Sequence, residues 1–157
     1  MSRARHQRGV AAVEFGLVIG LLAVIVFGIT ELGRAMFQYE ALTKSARSAA
    51  RYLAVFDASD PVVRASAQCL AVYGNPDCSA TGLVPVVPGL TVSHVAILEP
   101  TTTPALQSVE TGQGSLDLVA VTIGSPATPY QFQSLIPAFI PHVTFGPISA
   151  AMPQSFF

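Results

Sequence analysis

From Val10 to Ile29 the chain runs for twenty residues with a single charged side chain, Glu14. No other feature constrains its fold as tightly. At 1.5 Å of rise per residue a helix of this length reaches about 30 Å, the hydrocarbon thickness of a bilayer. A helix is required in that medium, because each backbone N–H and C=O must find its partner within the segment. Arg3, Arg5 and Arg8 precede the run with no acidic neighbour, and Arg34 is the only base close behind it. That asymmetry predicts a cytoplasmic N-terminus, an extracytoplasmic C-terminal part and a location in the inner membrane. A cleaved secretory signal is the rival reading. It calls for a shorter apolar core, ~7–15 residues, followed by a small-residue cleavage site. Gly33-Arg34-Ala35 is a poor version of that site, and Glu31 crowds it.

The helical pattern continues beyond the apolar run. Leu32, Met36, Tyr39, Leu42, Ala46, Ala50 and Leu53 recur at three- and four-residue steps, and Arg34, Gln38, Lys44, Arg47, Ser48 and Arg51 fill the other side. Glu40 and Lys44 form an i, i+4 pair in the favourable order. Glu31 and Arg34, at i, i+3, are placed either to fix helix registry as an ion pair or to lie on the surface. No proline precedes Pro61 to break the helix. One helix of roughly 45 residues is therefore expected, its first half in lipid and its second amphipathic.

After the helix the chain changes character. Asp60-Pro61 reads as an N-cap and an N1 proline opening a short helix to Tyr73, and Gly74-Asn75-Pro76-Asp77 closes it. Strands are expected at Leu90–Leu98, Leu116–Ile123 and Val143–Met152, with loops at Thr101–Pro104 and Gly112-Gln113-Gly114. Prolines 126, 129, 137 and 141 mark an irregular connection between the second strand and the third. The economical arrangement is α+β: the long helix packed on a small antiparallel sheet, since neither surface can bury its apolar side alone. This divides the chain into a basic leader (1–9), a helix (10–56) and an outer domain (57–157).

Cys69 and Cys78 have eight residues between them, unlike the tighter pairs of metal and redox motifs. Outside the membrane a disulfide there would stabilise the fold by roughly 2–3 kcal/mol. Two free buried thiols are the alternative.

Little in the sequence points to catalysis or ligand chemistry. Charged residues make up 11% of the chain, against the ~25% usual for soluble domains, and the net charge of −1 offers no field for nucleic acid. His6, His94 and His142 stand on separate segments without a partner at metal-ligand spacing. The carboxylates from Asp57 to Asp117 are scattered, which does not suit paired acid–base work. No lysine follows Gly112-Gln113-Gly114-Ser115, so it is not a phosphate loop, and its residue order is not the G-x-S-x-G of a nucleophile elbow. No catalytic residue, metal, cofactor or small-molecule substrate is assigned. Glu14 alone breaks a physical rule, since an acidic group at the centre of a span costs ~2.5–3.5 kcal/mol. It calls for a partner, unless it snorkels to the cytoplasmic interface five residues past Gly9.

Arg8-Gly9-Val10-Ala11-Ala12-Val13-Glu14-Phe15 resembles the class III signal of type IV pilin-related proteins. Together with Gly28-Ile29-Thr30-Glu31-Leu32-Gly33-Arg34-Ala35 and Ala46-Arg47-Ser48-Ala49-Ala50-Arg51, it resembles the TadE-like minor pseudopilins of the tight-adherence (Flp-type) pilus. The resemblance spans about residues 8–55. It implies cutting by a prepilin peptidase between Gly9 and Val10. Glu14, followed by the aromatic Phe15, would then pair with the new α-amino group of Val10, its own or a neighbour's. It further implies close helix packing through the G-x-x-x-G spacing of Gly16 and Gly20. Gly20 is a departure, standing where many relatives carry proline. The implied partners are membrane lipid, the peptidase and other pilins or pseudopilins. The competing reading is a single-pass, membrane-tethered binding module with an uncleaved anchor. The resemblance argues against a major pilin, since Flp-type major subunits resemble only a short helix with no room for residues 60–157, and an enzyme lacks a catalytic constellation.

Overall fold

The computed structural model describes residues 3–112, 114–137 and 140–154, with the side chains of α1 taken from Gly9 onward. Met1 and Ser2 of the expected leader and Gln113 of the expected loop lie outside the described residues.

Helix α1 runs unbroken from Arg3 to Val55, 53 residues. It is longer than the periodicity predicts because nothing between Arg3 and Gly9 stops a helix. Ala, Arg and Gln are good formers, and one interior glycine costs only about 1 kcal/mol. Asp57 then turns the chain, its Oδ1 accepting from Ser59 N (2.8 Å) and Ser59 Oγ (2.7 Å). These bonds hold the carboxyl below its ordinary range, the hydroxyl contributing most.

Helix α2, Pro61–Tyr73, begins where the sequence says it should. Asp60 caps it by accepting from Val62 N at 2.8 Å, and Pro61 occupies the first turn, where its missing N–H is not needed. It ends at Gly74, which adopts φ 70° and donates to Leu70 O at 2.9 Å. That left-handed conformation is why glycine stands there. A disulfide joins Cys69 to Cys78, Cα atoms 5.5 Å apart, and ties α2 to the turn behind it.

The strands are β1 (Val95–Leu98), β2 (Val109–Thr111), β3 (Gly114–Leu116), β4 (Leu118–Ile123), β5 (Gln131–Phe132), β6 (Val143–Thr144) and β7 (Ile148–Pro153). The principal sheet is antiparallel in the order β1-β4-β7, with Val95 opposite Ile123 and Val121 opposite Ala150. β2 and β3 form a hairpin, and β5 pairs with β6 in a short side ladder. Each of the three expected strands thus contributes to the principal sheet, but with trimmed ends. Val92–His94 is a 3₁₀ turn, with Thr91 N donating to His94 Nδ1 at 3.1 Å, so β1 starts only at Val95. Asp117 separates Leu116 from β4: its Oδ1 accepts from Ser108 N (2.7 Å) and its carbonyl from Gln154 N (2.9 Å). Gly146-Pro147 splits the third expected strand into β6 and β7; proline has no N–H for a ladder.

The core lies between α1, α2 and the sheet. Leu42, Ala46, Ala49, Ala50 and Leu53 of α1 meet Ala67, Ala71 and Val72 of α2 and Val119, Val121 and Ile123 of β4. The alanines let the two helices approach closely, so the interface depends on fit more than on bulk.

The amphipathic stripe differs from the expected one in its first turns. Leu42, Ala46, Ala50 and Leu53 are buried as the periodicity predicts, yet Leu32 (64% exposed), Met36 (63%) and Tyr39 (49%) face outward. Gln38, expected on the solvent side, is 6% exposed, and Glu31 is 3% exposed. The domain is seated on Glu31, Gln38 and Ser45, polar side chains that it satisfies by hydrogen bonds.

Candidate functional site

Two regions of α1 carry the functional signal, the apolar run and its junction with the domain. The first is bare. No residue from Gly9 to Thr30 is buried, and Phe15 (68% exposed), Leu17 (72%) and Ile29 (67%) are typical. This helix is long and apolar enough to cross a membrane. The Gly9–Val10 bond lies within it, and Glu14 is exposed one turn beyond Val10. Gly16 and Gly20 also stand one turn apart on one face; a Cβ added at either would meet nothing within 4 Å. A second helix can therefore approach the backbone at both positions.

The junction is closed by hydrogen bonds. Glu31 Oε1 accepts from Leu135 N at 2.9 Å, and Oε2 accepts from Arg34 Nη1 at 2.7 Å. Arg34 lies over the Phe132 ring, 5.3 Å from its centroid. One helical turn further on, Tyr130 Oη donates to Pro88 O at 2.8 Å and stands 3.0 Å from Gln38 Oε1. Burial pushes the Tyr130 hydroxyl above its usual range, which keeps it protonated and able to donate. Phe145 stacks on Phe132 (centroids 6.2 Å apart) and meets Tyr39 edge-on at 5.8 Å. Ser45 donates to Ala71 O, completing a polar ladder that recurs every seven residues at Glu31, Gln38 and Ser45.

The expected Glu31–Arg34 pair is therefore present and largely enclosed. Lys44 and Glu40, 4.0 Å apart and both well exposed, add little. Tyr130, Gln38 and Leu135 are absent from the sequence-derived candidates. The seven-residue spacing of polar side chains, in phase with Leu42 and Ala49, was the available signal for Gln38. Nothing local marks Leu135.

Arg64 and Glu99, 2.7 Å apart, link α2 to the end of β1. His94 serves its 3₁₀ turn and packs edge-on to Tyr130. Among the described residues no three His, Cys, Asp or Glu side chains gather as a metal site.

Residues 9–51 match the family model of the TadE-like proteins, a stretch lying wholly within α1. No curated protein and no solved structure matches the chain. The matched stretch covers both the bare helix and its junction, and over these residues the chain is similar to the TadE-like proteins.

Proposed function

We propose that the chain is a minor pseudopilin of a tight-adherence, Flp-type pilus. Residues 10–29 cross the inner membrane, with residues 1–9 in the cytoplasm and the domain from residue 57 outside. A prepilin peptidase cuts between Gly9 and Val10, and the mature protein packs through α1 against other pilins or pseudopilins. The observation that carries this reading is the uncovered face of α1. Leu32, Met36 and Phe37 (71% exposed) extend the bare apolar surface past Ile29, although a domain is available to cover them. A helix that serves only as an anchor has no use for an apolar face outside lipid, whereas one that packs beside its neighbours does.

Cleavage would give Glu14 its partner. The new α-amino group of Val10 would stand one turn away in the same helix, or beside the Glu14 of a neighbour, so that two charges leave lipid together. Mass spectrometry of the protein isolated from membranes tests the cut. The expected N-terminus is Val10, whereas intact Met1 would support the uncleaved-anchor reading and overturn this one.

A further inference from the structure

The end of the domain nearest the apolar run is set by Glu31. A helical side chain leans toward the N-terminus of its helix and covers the turn before its own Cα. The Glu31 carboxylate therefore lies beside the turn Phe27–Thr30, and so does the Leu135 N–H bonded to it at 2.9 Å. A second segment reaches the same level: Val87 and Pro88 line a groove with Thr30, Gly33 and Arg34. The two segments adjoin, since a Cβ built on Gly89 would lie 4.0 Å from Gln133 Nε2. Leu135 is 73% exposed, Pro88 and Gly89 are exposed, and Ile136 is half-buried.

This end is poor in charge. Residues 78–98 and 118–157 contain no Asp, Glu, Lys or Arg. Beyond the enclosed Glu31–Arg34 pair, the ionisable side chain next to this loop in the side ladder is His142, which directly precedes the Val143 paired with Phe132. The charges of the domain fall instead between Asp57 and Asp77 and between Glu99 and Asp117. An apolar tip without charge, at the level where a membrane-crossing helix leaves the hydrocarbon, suits the headgroup region of a bilayer.

We infer that this end of the domain, with Leu135 at its tip and the Pro88–Gly89 turn beside it, rests on the lipid surface. The inference depends on residues 10–29 crossing the membrane as proposed above. The Glu31 latch and the Arg34–Phe132 contact then hold the domain at a fixed height, with the lipid as the partner of an otherwise uncovered leucine.

Depth-dependent quenching tests it on the full chain, with the Cys69–Cys78 disulfide left oxidised. Single variants Leu135→Cys, Val62→Cys and Val18→Cys are labelled with bimane. They are then reconstituted in phosphatidylethanolamine–phosphatidylglycerol vesicles carrying nitroxide lipids of shallow or deep position. Val62 is 72% exposed and shares a cleft with Tyr52, which by helical rise is about 35 Å beyond Ile29. The shallow nitroxide is expected to quench the label at 135 about threefold more than that at 62, and the deep nitroxide to quench at 18. If 135 behaves like 62 while 18 is quenched by the deep probe, the helix spans and this inference fails. If 18 is not quenched by the deep probe, the spanning reading fails and the lipid contact with it. A blue-shifted label at 135 without quenching would mean burial against a second copy, which also overturns the inference.

Discussion

Two glutamates of α1, Glu14 and Glu31, meet opposite surroundings. Glu31 is nearly enclosed, yet both carboxylate oxygens are satisfied, one by a backbone N–H and one by a guanidinium. Glu14 is exposed on the apolar run. Removing the Glu31 carboxylate should leave the Leu135 N–H and Arg34 without their acceptor. Glu31→Ala is expected to destabilise the domain by about 1–3 kcal/mol, while Leu32→Ala, at an exposed neighbour, should stay within about 0.5 kcal/mol. Denaturant midpoints of the two variants in the same detergent would show it, and equal midpoints would mean that the latch adds nothing. The sequence made the Glu31–Arg34 spacing visible because both partners lie on one helix. Leu135 was not legible, because its contribution is a backbone N–H and any residue but proline supplies one.

At the scale of elements, local chemistry was legible and facing was not. Asp60-Pro61 and Gly74 mark both ends of α2 through side-chain and backbone geometry that a few neighbouring residues determine. Of the β2–β3 hairpin only the loop at Gly112–Gly114 was expected; its two short strands were not. The stripe of α1 depends instead on which side the domain takes, and hydrophobicity misleads there. Leu32 and Met36 are left outside, while Gln38 goes in to meet Tyr130. The disulfide acts at this scale, since it holds α2 to a turn that otherwise has mostly local bonds, such as those from Ser79 to Asp77. Replacing both Cys69 and Cys78 with serine is expected to lower stability by roughly 2–3 kcal/mol. Thermal or urea denaturation with and without reductant checks this. A wild-type midpoint that reductant does not move would show that the bridge contributes nothing.

At the scale of the whole molecule, α1 is about 80 Å long at 53 residues, and the domain grips only its second half. The architecture of a long helix on a small antiparallel sheet was legible because the apolar run and the later Val- and Ile-rich strands differ so sharply in period. The proposed assembly role makes Glu14 the residue whose effect shows only in the assembled state. Glu14→Gln should insert in the membrane and fold as wild type, yet reduce surface pili by an order of magnitude or more by immunoblot of sheared fractions. Normal piliation in that variant would remove the proposed charge pairing.

The absence of any break in α1 from Arg3 to Val55 leaves no joint between the proposed span and the domain. A residue inserted in the apolar run would lift the domain ~1.5 Å and swing it ~100° about the axis, with no loop to absorb either. In the proposed assembly, phase along the rod thus decides which outer side chains a neighbouring subunit can reach.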